Sequence, residues 1–312
     1  MMQATACPVR RSSNATLSIP RPLACLILAL CMSGSAARAQ DAPKQGEGKP
    51  ALTPKLPLYP LDVAVDKDGT IYVVDLNLHG VWRWKDGALS VFFEGSPQYR
   101  TPLNAPRCIA IDVDGSVLVG DSATREIYRF DDSGEPKPIT GGKIGVPMDL
   151  AVAKDGTIYV ADLELRRLFR IPAGTGDVEE VAKINPRGVS IDGEGQVWVV
   201  SQNTEQLQKV AEDGKAEPVV ATREFQFPHQ VAVLDNGDAY VTDGYAKAVW
   251  RIKQGGKPEK VVEGGPLDNP VGIAQVEGGL MIVDPRVRKV FKIEVGDDGS
   301  VGEPKEMFEI KR

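Results

Sequence analysis

The sequence predicts an all-β fold, a six-bladed β-propeller in which every blade is a four-stranded antiparallel sheet. Three observations lead to this prediction. A related segment occurs six times along the chain, at spacings of 46, 41, 39, 42 and 42 residues. Each segment divides into short apolar strands separated by turn residues, and no segment has a convincing helical period. A period of about 40 residues that is built from short strands is typical of a propeller.

The six segments share an alternating first strand, a tight turn such as Asp-Gly, and a β-branched or aromatic second strand. A proline precedes each of them, at positions 60, 106, 147, 186, 228 and 270. The segments are LDVAVDKDGTIYVVD (61–75), RCIAIDVDGSVLVGD (107–121), MDLAVAKDGTIYVAD (148–162), RGVSIDGEGQVWVVS (187–201), HQVAVLDNGDAYVTD (229–243) and VGIAQVEGGLMIVD (271–284).

A third strand begins shortly after each segment, and a weaker fourth strand follows it. The third strands are VWRW (81–84), IYRF (127–130), LFRI (168–171), LQKV (207–210), VWRI (249–252) and VFKI (290–293). Lys305 to Ile310 is available as the outer strand of the sixth unit. We therefore expect the ring to close without a strand from elsewhere, although a strand lent by residues 51–57 is an alternative.

Small residues occupy the centre of every first strand: Ala64, Ala110, Ala151, Ser190, Ala232 and Ala274. The first strands of a propeller lie innermost, where neighbouring sheets converge and large side chains cannot fit. An extended solenoid would not need this restriction, so the pattern favours a closed ring.

The repeated pattern V-A-V-D-x-D-G-x-I-Y-V-x-D, followed by an apolar–aromatic–Arg–apolar third strand, resembles the NHL repeat. The resemblance covers about residues 60–310 and implies a six-bladed propeller of NHL type. NHL propellers include protein-binding scaffolds, RNA-binding modules and a few lyases, so the function has to be argued from the site.

Residues 1–39 have the three parts of a secretory signal peptide. Three arginines precede the apolar run from Leu23 to Met32, and Ala37-Arg38-Ala39 has the small-x-small pattern of a cleavage site. We therefore expect a signal peptide at 1–39 and an exported protein that is secreted or periplasmic. Residues 40–57 are rich in Pro, Lys and Gly and are predicted to be a flexible linker, which leaves 58–312 for the propeller.

The chain is acidic, with 37 Lys and Arg against 43 Asp and Glu. Because the segment 1–39 holds four arginines and no acid, residues 40–312 carry a net charge of −10. An acidic chain without a basic block argues against nucleic acid or anionic lipid as the main partner. We expect no nucleic acid ligand, no membrane insertion after signal cleavage, and a monomer.

The loops that enter the first strand and leave the second strand lie on one face of a propeller. The two residues after each proline therefore ring the channel mouth, and they vary between blades while the framework repeats. Such variation is typical of a binding site. We predict ligand contacts by Asp62, Arg107, Asp149, Arg187, His229, Gln230 and Tyr245.

This mixture of arginines, aspartates and a histidine suits a polar or anionic small ligand, or a peptide. We interpret the chain as a binding module for a polar small molecule or a protein partner at the channel mouth, with no catalytic residue and no cofactor predicted. A ring of unrelated solvated side chains, or a propeller that binds proteins through its sides, are the non-enzymatic alternatives.

An enzyme is the remaining alternative. Phe227 to Ala232, with Tyr240 to Tyr245 behind it, resembles a blade of the peptidyl-hydroxyglycine amidating lyases. That resemblance implies that His229 helps to bind a catalytic metal together with histidines of other blades. The chain has one other histidine, His79, which lies on the same predicted face in a different motif.

Six-bladed gluconolactonase-like hydrolases also place a divalent ion at the channel mouth. Their first blade opens with a Glu-Gly-Pro ligand motif, whereas this chain has Tyr59-Pro60-Leu61-Asp62. A lyase or lactonase would require a divalent metal, calcium or zinc, and the candidate ligand set for zinc is His229 and His79 with Asp62 or Asp149.

Five aspartates end second strands and repeat from blade to blade: Asp75, Asp121, Asp162, Asp243 and Asp284. Because they repeat, we interpret them as structural residues of turns rather than as metal ligands. We also expect each to face a basic residue of the third strand, such as Arg83. Asp66-x-Asp68-Gly69 resembles the start of a calcium loop, but the remaining ligands are missing, so it is predicted to be a hairpin turn.

Overall fold

The computed structural model describes residues 56–98 and 100–312. The predicted signal peptide and residues 40–55 of the predicted linker lie outside the described residues. The described part of the chain contains 24 β-strands and no helix, so it has no helix that could cross a membrane. These strands belong to the compact unit that begins at Pro54.

The strands follow the predicted repeat of four. The first strands are β1 (Pro60–Val65), β5 (Pro106–Ile111), β9 (Pro147–Val152), β13 (Pro186–Ile191), β17 (Pro228–Val233) and β21 (Gly272–Val276). The second strands are β2 (Ile71–Asp75), β6 (Val117–Asp121), β10 (Ile158–Asp162), β14 (Val197–Ser201), β18 (Ala239–Asp243) and β22 (Gly279–Asp284).

The third strands are β3 (Gly80–Lys85), β7 (Glu126–Phe130), β11 (Arg167–Ile171), β15 (Leu207–Val210), β19 (Ala248–Ile252) and β23 (Lys289–Glu294). The fourth strands are β4 (Ala88–Glu94), β8 (Pro136–Pro138), β12 (Glu179–Ala182), β16 (Ala216–Val220), β20 (Pro258–Glu263) and β24 (Lys305–Glu309).

Each group of four consecutive strands forms one antiparallel sheet in chain order. Every first strand contacts the first strands of the two neighbouring blades, and β21 contacts β1, so the six sheets form a closed ring. The structure therefore confirms the six-bladed β-propeller. The small residues at the centres of the first strands line a cavity of about 270 Å³ along the axis.

The apolar core lies between the blades. The described residues form six buried clusters, and each cluster joins two adjacent blades. Alternation along the strands produces this arrangement, because one side of each sheet faces the blade before it and the other faces the blade after it. Each buried aliphatic or aromatic side chain contributes about 1.5–3 kcal/mol, so the ring is stabilised at every junction.

The ring closes between the sixth and first blades without an exchanged strand, as predicted. β24 is the outer strand of the sixth sheet, and no described strand precedes β1. Trp84 of β3 stacks on Phe308 of β24 with ring centroids 5.5 Å apart. Arg312 also forms an ion pair with Glu94 at 2.9 Å.

The two ends of the channel are built from different loops. The mouth end holds the loops that join second to third strands and fourth strands to the next first strand. The turn end holds the hairpin turns that join first to second strands and third to fourth strands. In the first of these turns, Asp66 Oδ1 accepts hydrogen bonds from the N–H groups of Asp68 and Thr70, which confirms the predicted hairpin.

The strand-ending aspartates are structural, as predicted. All five are fully buried. Asp75 Oδ1 accepts hydrogen bonds from the N–H groups of Tyr59 before the first strand and of Asn77 and Leu78 after the second. The other four aspartates join the same two loops in their blades.

The prediction that the strand-ending aspartates face third-strand residues such as Arg83 was wrong. The register of β2 and β3 places Asp75 opposite Gly80, whereas Arg83 lies opposite Tyr72. The four-residue loop between the strands sets this offset, so Arg83 lies towards the turn end and Asp75 at the mouth end. In the third and sixth blades the aspartate does face a basic residue of the third strand, but it is a different one: Asp162 lies opposite Arg167 and Asp284 lies opposite Lys289.

Candidate functional site

A β-bulge after the first proline separates two rings of side chains at the mouth end. In the first blade Pro60 pairs with Asp75 and Asp62 pairs with Val74, which leaves Leu61 unpaired. The same shift occurs in the second to fifth blades. Because a bulge re-aims the side chains beside it, consecutive residues face different surroundings.

We call the first residues after the prolines the mouth ring and the second residues the inner ring. The mouth ring is Leu61, Arg107, Met148, Arg187, His229 and Val271, and these side chains line a cavity of about 200 Å³. The inner ring is Asp62, Cys108, Asp149, Gly188, Gln230 and Gly272, and all of these residues are buried.

The polar members of the inner ring connect alternate pairs of blades. Each accepts a hydrogen bond from a backbone N–H of the next blade: Asp62 from Ile109 at 2.9 Å, Asp149 from Val189 at 2.9 Å, and Gln230 from Ile273 at 2.8 Å. Gln230 Nε2 also donates across the channel to Asp149 Oδ1 at 3.0 Å. The inner ring therefore crosses the channel and braces it.

The other inner-ring residues are small because the backbone of the next blade lies close to them. A Cβ added to Gly188 would lie 2.7 Å from Gln230 Cα, and one added to Gly272 would lie 2.8 Å from Asp62 Cα. Cys108 is fully buried, and its Sγ lies 3.7 Å from the carbonyl oxygen of Pro147. Large polar and small residues thus alternate around the ring.

The inner ring holds two carboxyl groups away from water. Burial raises the pKa of Asp62 to about 7. Burial also raises the pKa of Asp149, and the nearby Asp62 carboxylate raises it further. The pKa of the Cys108 thiol is raised by burial and by both carboxylates, so this cysteine is held as a neutral thiol.

The structure divides the seven predicted ligand contacts between two environments. Asp62 and Asp149 belong to the buried inner ring, where backbone N–H groups occupy their oxygens. Gln230 forms part of the floor of the mouth cavity, and Arg107, Arg187 and His229 form part of its wall. Tyr245 lies outside this lining, on a neighbouring loop.

Arg187 is a half-buried cation of the mouth cavity. Its Nε is buried and has no hydrogen-bond partner, and no acid forms an ion pair with its guanidinium among the described residues. Burial and the positive charge of Arg107 lower the pKa of Arg187 to about 10. It therefore stays charged at neutral pH, and the site holds an uncompensated positive charge.

Arg107 is a second cation of the cavity wall. Its Nε donates to Ser122 Oγ at 3.0 Å, and it likewise has no acidic partner among the described residues. Gln202, on the loop after the second strand of the same blade as Arg187, also has a buried Nε2 without an acceptor, but it does not line the cavity. Buried donors without acceptors are rare in folded proteins, and they mark a place where a ligand can supply the acceptors.

His229 is held neutral in the same wall. Burial, with a further effect of Arg187, lowers its pKa to about 3. Arg187 Nη2 lies 3.3 Å from His229 Nδ1, and a guanidinium can only donate. Nδ1 therefore accepts and Nε2 carries the proton. A Cβ added to Gly244 would lie 2.8 Å from Nε2, which explains why that loop has glycine there.

An aromatic shelf stands beside these polar groups. Phe227 and Tyr245 stack with ring centroids 4.6 Å apart and an interplanar angle of 20°. The guanidinium carbon of Arg187 lies 5.0 Å from the centroid of Phe227, within the range of a cation–π contact. Tyr245 is 66% exposed, so its outer face is free to stack on a ligand.

Sequence reasoning missed three residues of this region, Tyr59, Phe227 and Asn269. Tyr59 and Asn269 line the cavity, and Phe227 forms the shelf. All three directly precede the proline of a first strand, which is a position that repeats but whose residue type varies. That combination of a fixed place and a changing residue was the available signal.

The donor set does not fit the metal centre that the enzyme alternative requires. The described residues contain no group of three or more His, Cys, Asp or Glu that could hold a metal ion. His79 does not line the cavity, and its Nδ1 lies 2.5 Å from the carbonyl oxygen of Asn104. A divalent cation beside His229 would also lie beside the charged Arg187.

No model of a known protein family matches the chain. Among curated proteins it is similar to the peptidyl-glycine alpha-amidating monooxygenases B and A of Xenopus laevis. Each is 27% identical over 231 residues, which cover 62% of this chain and 26% or 24% of the relative. The matched region thus spans about a quarter of the length of these relatives.

Several solved structures share the fold. They include a virginiamycin B lyase from Staphylococcus aureus (TM-score 0.59, 16% identity, 82% of this chain and 88% of that chain). A gluconolactonase from Xanthomonas campestris has a TM-score of 0.60 at 17% identity over 73% and 83% of the two chains. A chain of a nidogen/laminin complex has a TM-score of 0.59 at 19% identity, over 76% of this chain and 88% of that chain.

Identities this low show the fold alone. The resemblance to NHL repeats is not confirmed by a family match. The chain is a six-bladed β-propeller whose neighbours include lyase and lactonase propellers and whose sequence is weakly similar to amidating monooxygenases.

Proposed function

We propose that this protein is a binding module that holds a small anionic ligand, a carboxylate, at its channel mouth. The observation that carries the proposal is the enclosed Arg187 guanidinium, which faces a cavity with Arg107 beside it and has no acidic partner among the described residues. A half-buried charge whose Nε is shielded from water and lacks an acceptor is costly, so a carboxylate in the cavity would complete the site.

The other groups of the site suit the same ligand. A carboxylate accepts two hydrogen bonds in the plane of a guanidinium fork, and it has acceptor capacity left for a further donor. Neutral His229 adds a hydrogen-bonding group without adding a charge. The Phe227–Tyr245 shelf would support a flat or apolar group attached to the acid.

The relatives suggest which carboxylate to try first. Their name states that they act on peptidyl-glycine, which ends in a carboxylate. We therefore propose a peptide or acyl group that ends in glycine as the first probe. The cavity of about 200 Å³ has room for such a terminal residue but not for a long peptide.

Isothermal titration tests the proposal with one peptide in two forms, a hydrophobic tripeptide that ends in glycine and the same peptide amidated at its C-terminus. We expect the free acid to bind and the amide to bind much more weakly. Arg187→Ala should weaken binding of the acid by about 30-fold or more, because truncating one partner of a buried charge pair costs about 2–5 kcal/mol.

Arg166→Ala is the matched control, since Arg166 is an exposed arginine of the mouth end that does not line the cavity. Equal binding of the two peptide forms, or equal affinity of the Arg187→Ala variant and the original protein, would contradict the proposal.

A metal-dependent lyase or lactonase is the second candidate, favoured by the sequence similarity to amidating monooxygenases and by the neighbouring folds. The donor set argues against it, since the described residues hold no three-ligand group. Elemental analysis of the purified protein before and after chelation tests it. About one equivalent of zinc or calcium that is lost in His229→Ala would favour the enzyme over the binding module.

A further inference from the structure

The two ends of the propeller carry opposite charge. The described loops of the mouth end contain nine Lys or Arg and four Asp or Glu. The described loops of the turn end contain five Lys and twenty Asp or Glu. The net charge of the chain is a sum over both faces and the strands, so the overall acidity conceals a basic mouth end.

The basic residues of the mouth end circle the channel. The residue directly before the third strand has a positive φ of 52° to 59° in five blades, and it is His79, Arg125, Arg166, Lys247 or Arg288. Gly or Asn would adopt this left-handed conformation at the lowest cost. Five blades nevertheless place a basic residue or histidine there, which indicates that the side chain matters at this position.

Exposed apolar side chains lie on the same face. The described chain exposes six large hydrophobic residues, and four of them belong to the mouth end: Leu56, Tyr59, Leu165 and Tyr245. Leu165 directly precedes Arg166, and Tyr245 lies two residues before Lys247. Apolar and basic side chains are thus interspersed in the same loops.

From this arrangement we propose that the mouth end docks on the surface of a phospholipid bilayer that carries anionic headgroups. Charges that circle an axis can all approach a plane at once, whereas a linear polyanion would follow a groove and contact only part of the ring. Interspersed leucine and tyrosine side chains enter the interfacial region of a bilayer, and basic residues bind its headgroups. The acidic turn end is repelled and faces away from the membrane.

This docking surface overlaps the carboxylate site at Tyr59 and Tyr245, but other residues of it can be changed separately. Arg166, Arg288 and Leu165 do not line the mouth cavity, so their replacement leaves the cavity walls in place. A variant can therefore lose membrane binding and keep carboxylate binding, or lose carboxylate binding and keep membrane binding.

Co-flotation with lipid vesicles tests the proposal on the purified protein. We expect binding to vesicles of phosphatidylglycerol and phosphatidylcholine, much weaker binding to pure phosphatidylcholine, and a decrease as salt is added. The variant Arg166→Glu with Arg288→Glu should lose binding about tenfold or more, because each basic residue near an anionic surface contributes to the attraction.

Lys253→Glu with Lys257→Glu is the matched control. It makes the same change in net charge at exposed positions of the turn end. This control should bind as the original protein does, and far-UV circular dichroism of all three proteins checks that the fold is intact.

Four results would overturn the proposal. They are the absence of binding to anionic vesicles, equal binding to neutral vesicles, equal loss in the two double variants, or capture by soluble polyglutamate without capture by vesicles. The last result would assign the basic face to an acidic macromolecule instead.

Discussion

The mouth end and the turn end of this propeller are made by the same repeat, yet they differ in almost every respect. The turn end repeats short turns such as Asp66 to Gly69, whose side chains bond their own backbone and carry acid. The mouth end keeps its prolines and buried aspartates but changes the residues between them. The structural residues thus repeat at both ends, whereas the residues that differ from blade to blade lie at the mouth end.

The mouth end also divides into two layers with different roles. The inner ring satisfies backbone donors and crosses the channel, so it acts as part of the framework. The mouth ring, one residue away in sequence, leaves the buried Nε of Arg187 without an acceptor. Unsatisfied groups are tolerated where a ligand completes them, which is why the two layers point to structure and to binding respectively.

The largest expected effect on the free energy of unfolding comes from a glycine-to-alanine substitution, which can be made at both ends and compared. Gly188→Ala at the mouth end places a Cβ 2.7 Å from Gln230 Cα and 2.9 Å from the carbonyl oxygen of His229. Because these are backbone atoms of the next blade, we expect a loss of about 3 kcal/mol in the free energy of unfolding.

Gly69→Ala is the comparison at the turn end. Its φ is +78° and no atom lies within 4 Å of the added Cβ, so only the left-handed strain remains, about 1 kcal/mol. Urea denaturation measures both variants. Equal losses would show that the inner ring is not packed as tightly as its geometry indicates.

A smaller effect is expected when the brace across the channel is removed. Gln230→Ala leaves the buried Ile273 N–H without an acceptor and takes a donor from Asp149, which should cost about 1–3 kcal/mol. The exposed Gln226 of the preceding loop serves as control, and Gln226→Ala should leave the unfolding midpoint nearly unchanged. A Gln230→Ala protein as stable as that control would refute the bracing role.

The last prediction concerns the pH dependence of stability, which has opposite signs in the two layers. His229 has a pKa of about 3 in the folded protein against 6.5, so between these values the unfolded chain binds more protons and stability falls as pH falls. Asp62 has a pKa of about 7 against 3.8, so between these values the folded protein binds more protons and stability rises as pH falls.

In the original protein the pH dependences of stability from His229 and Asp62 have opposite signs and partly cancel. The variant His229→Gln removes the histidine contribution and leaves that of Asp62. On lowering the pH from 7 to about 4, the variant should gain stability relative to the original protein by up to about 1.4 kcal/mol per pH unit. Urea denaturation across this range measures the difference. Parallel stability profiles would show that His229 is not held neutral by its surroundings.

Much of the fold was predictable because its determinants are local. Proline, the alternating strand, the short turn and the strand-ending aspartate recur at nearly constant spacing, and they set the strands and the closed ring. The site was predictable only in part. Arg107, Arg187 and His229 meet at one cavity, but Asp62 and Asp149 were expected at the mouth and lie in the inner ring.

The reason is the β-bulge after the proline in the first five blades. A bulge changes the direction of the side chains beside it, and it has no firm signature in these residues, so the sequence does not show which residue faces the mouth and which faces the channel. The shelf of Phe227 and Tyr245 depends on a contact between two separate loops, one before the first strand of the fifth blade and one after its second strand.

By itself, the sequence determined the number of blades, the strands within them and the places where blades differ, because these follow from repeats and from local hydrogen bonding. Only the tertiary structure decided which residues share a cavity, which carboxylates are buried and which charges share a face. Those properties depend on how six separate units are brought around one axis, and the net charge of a chain contains no information on that arrangement.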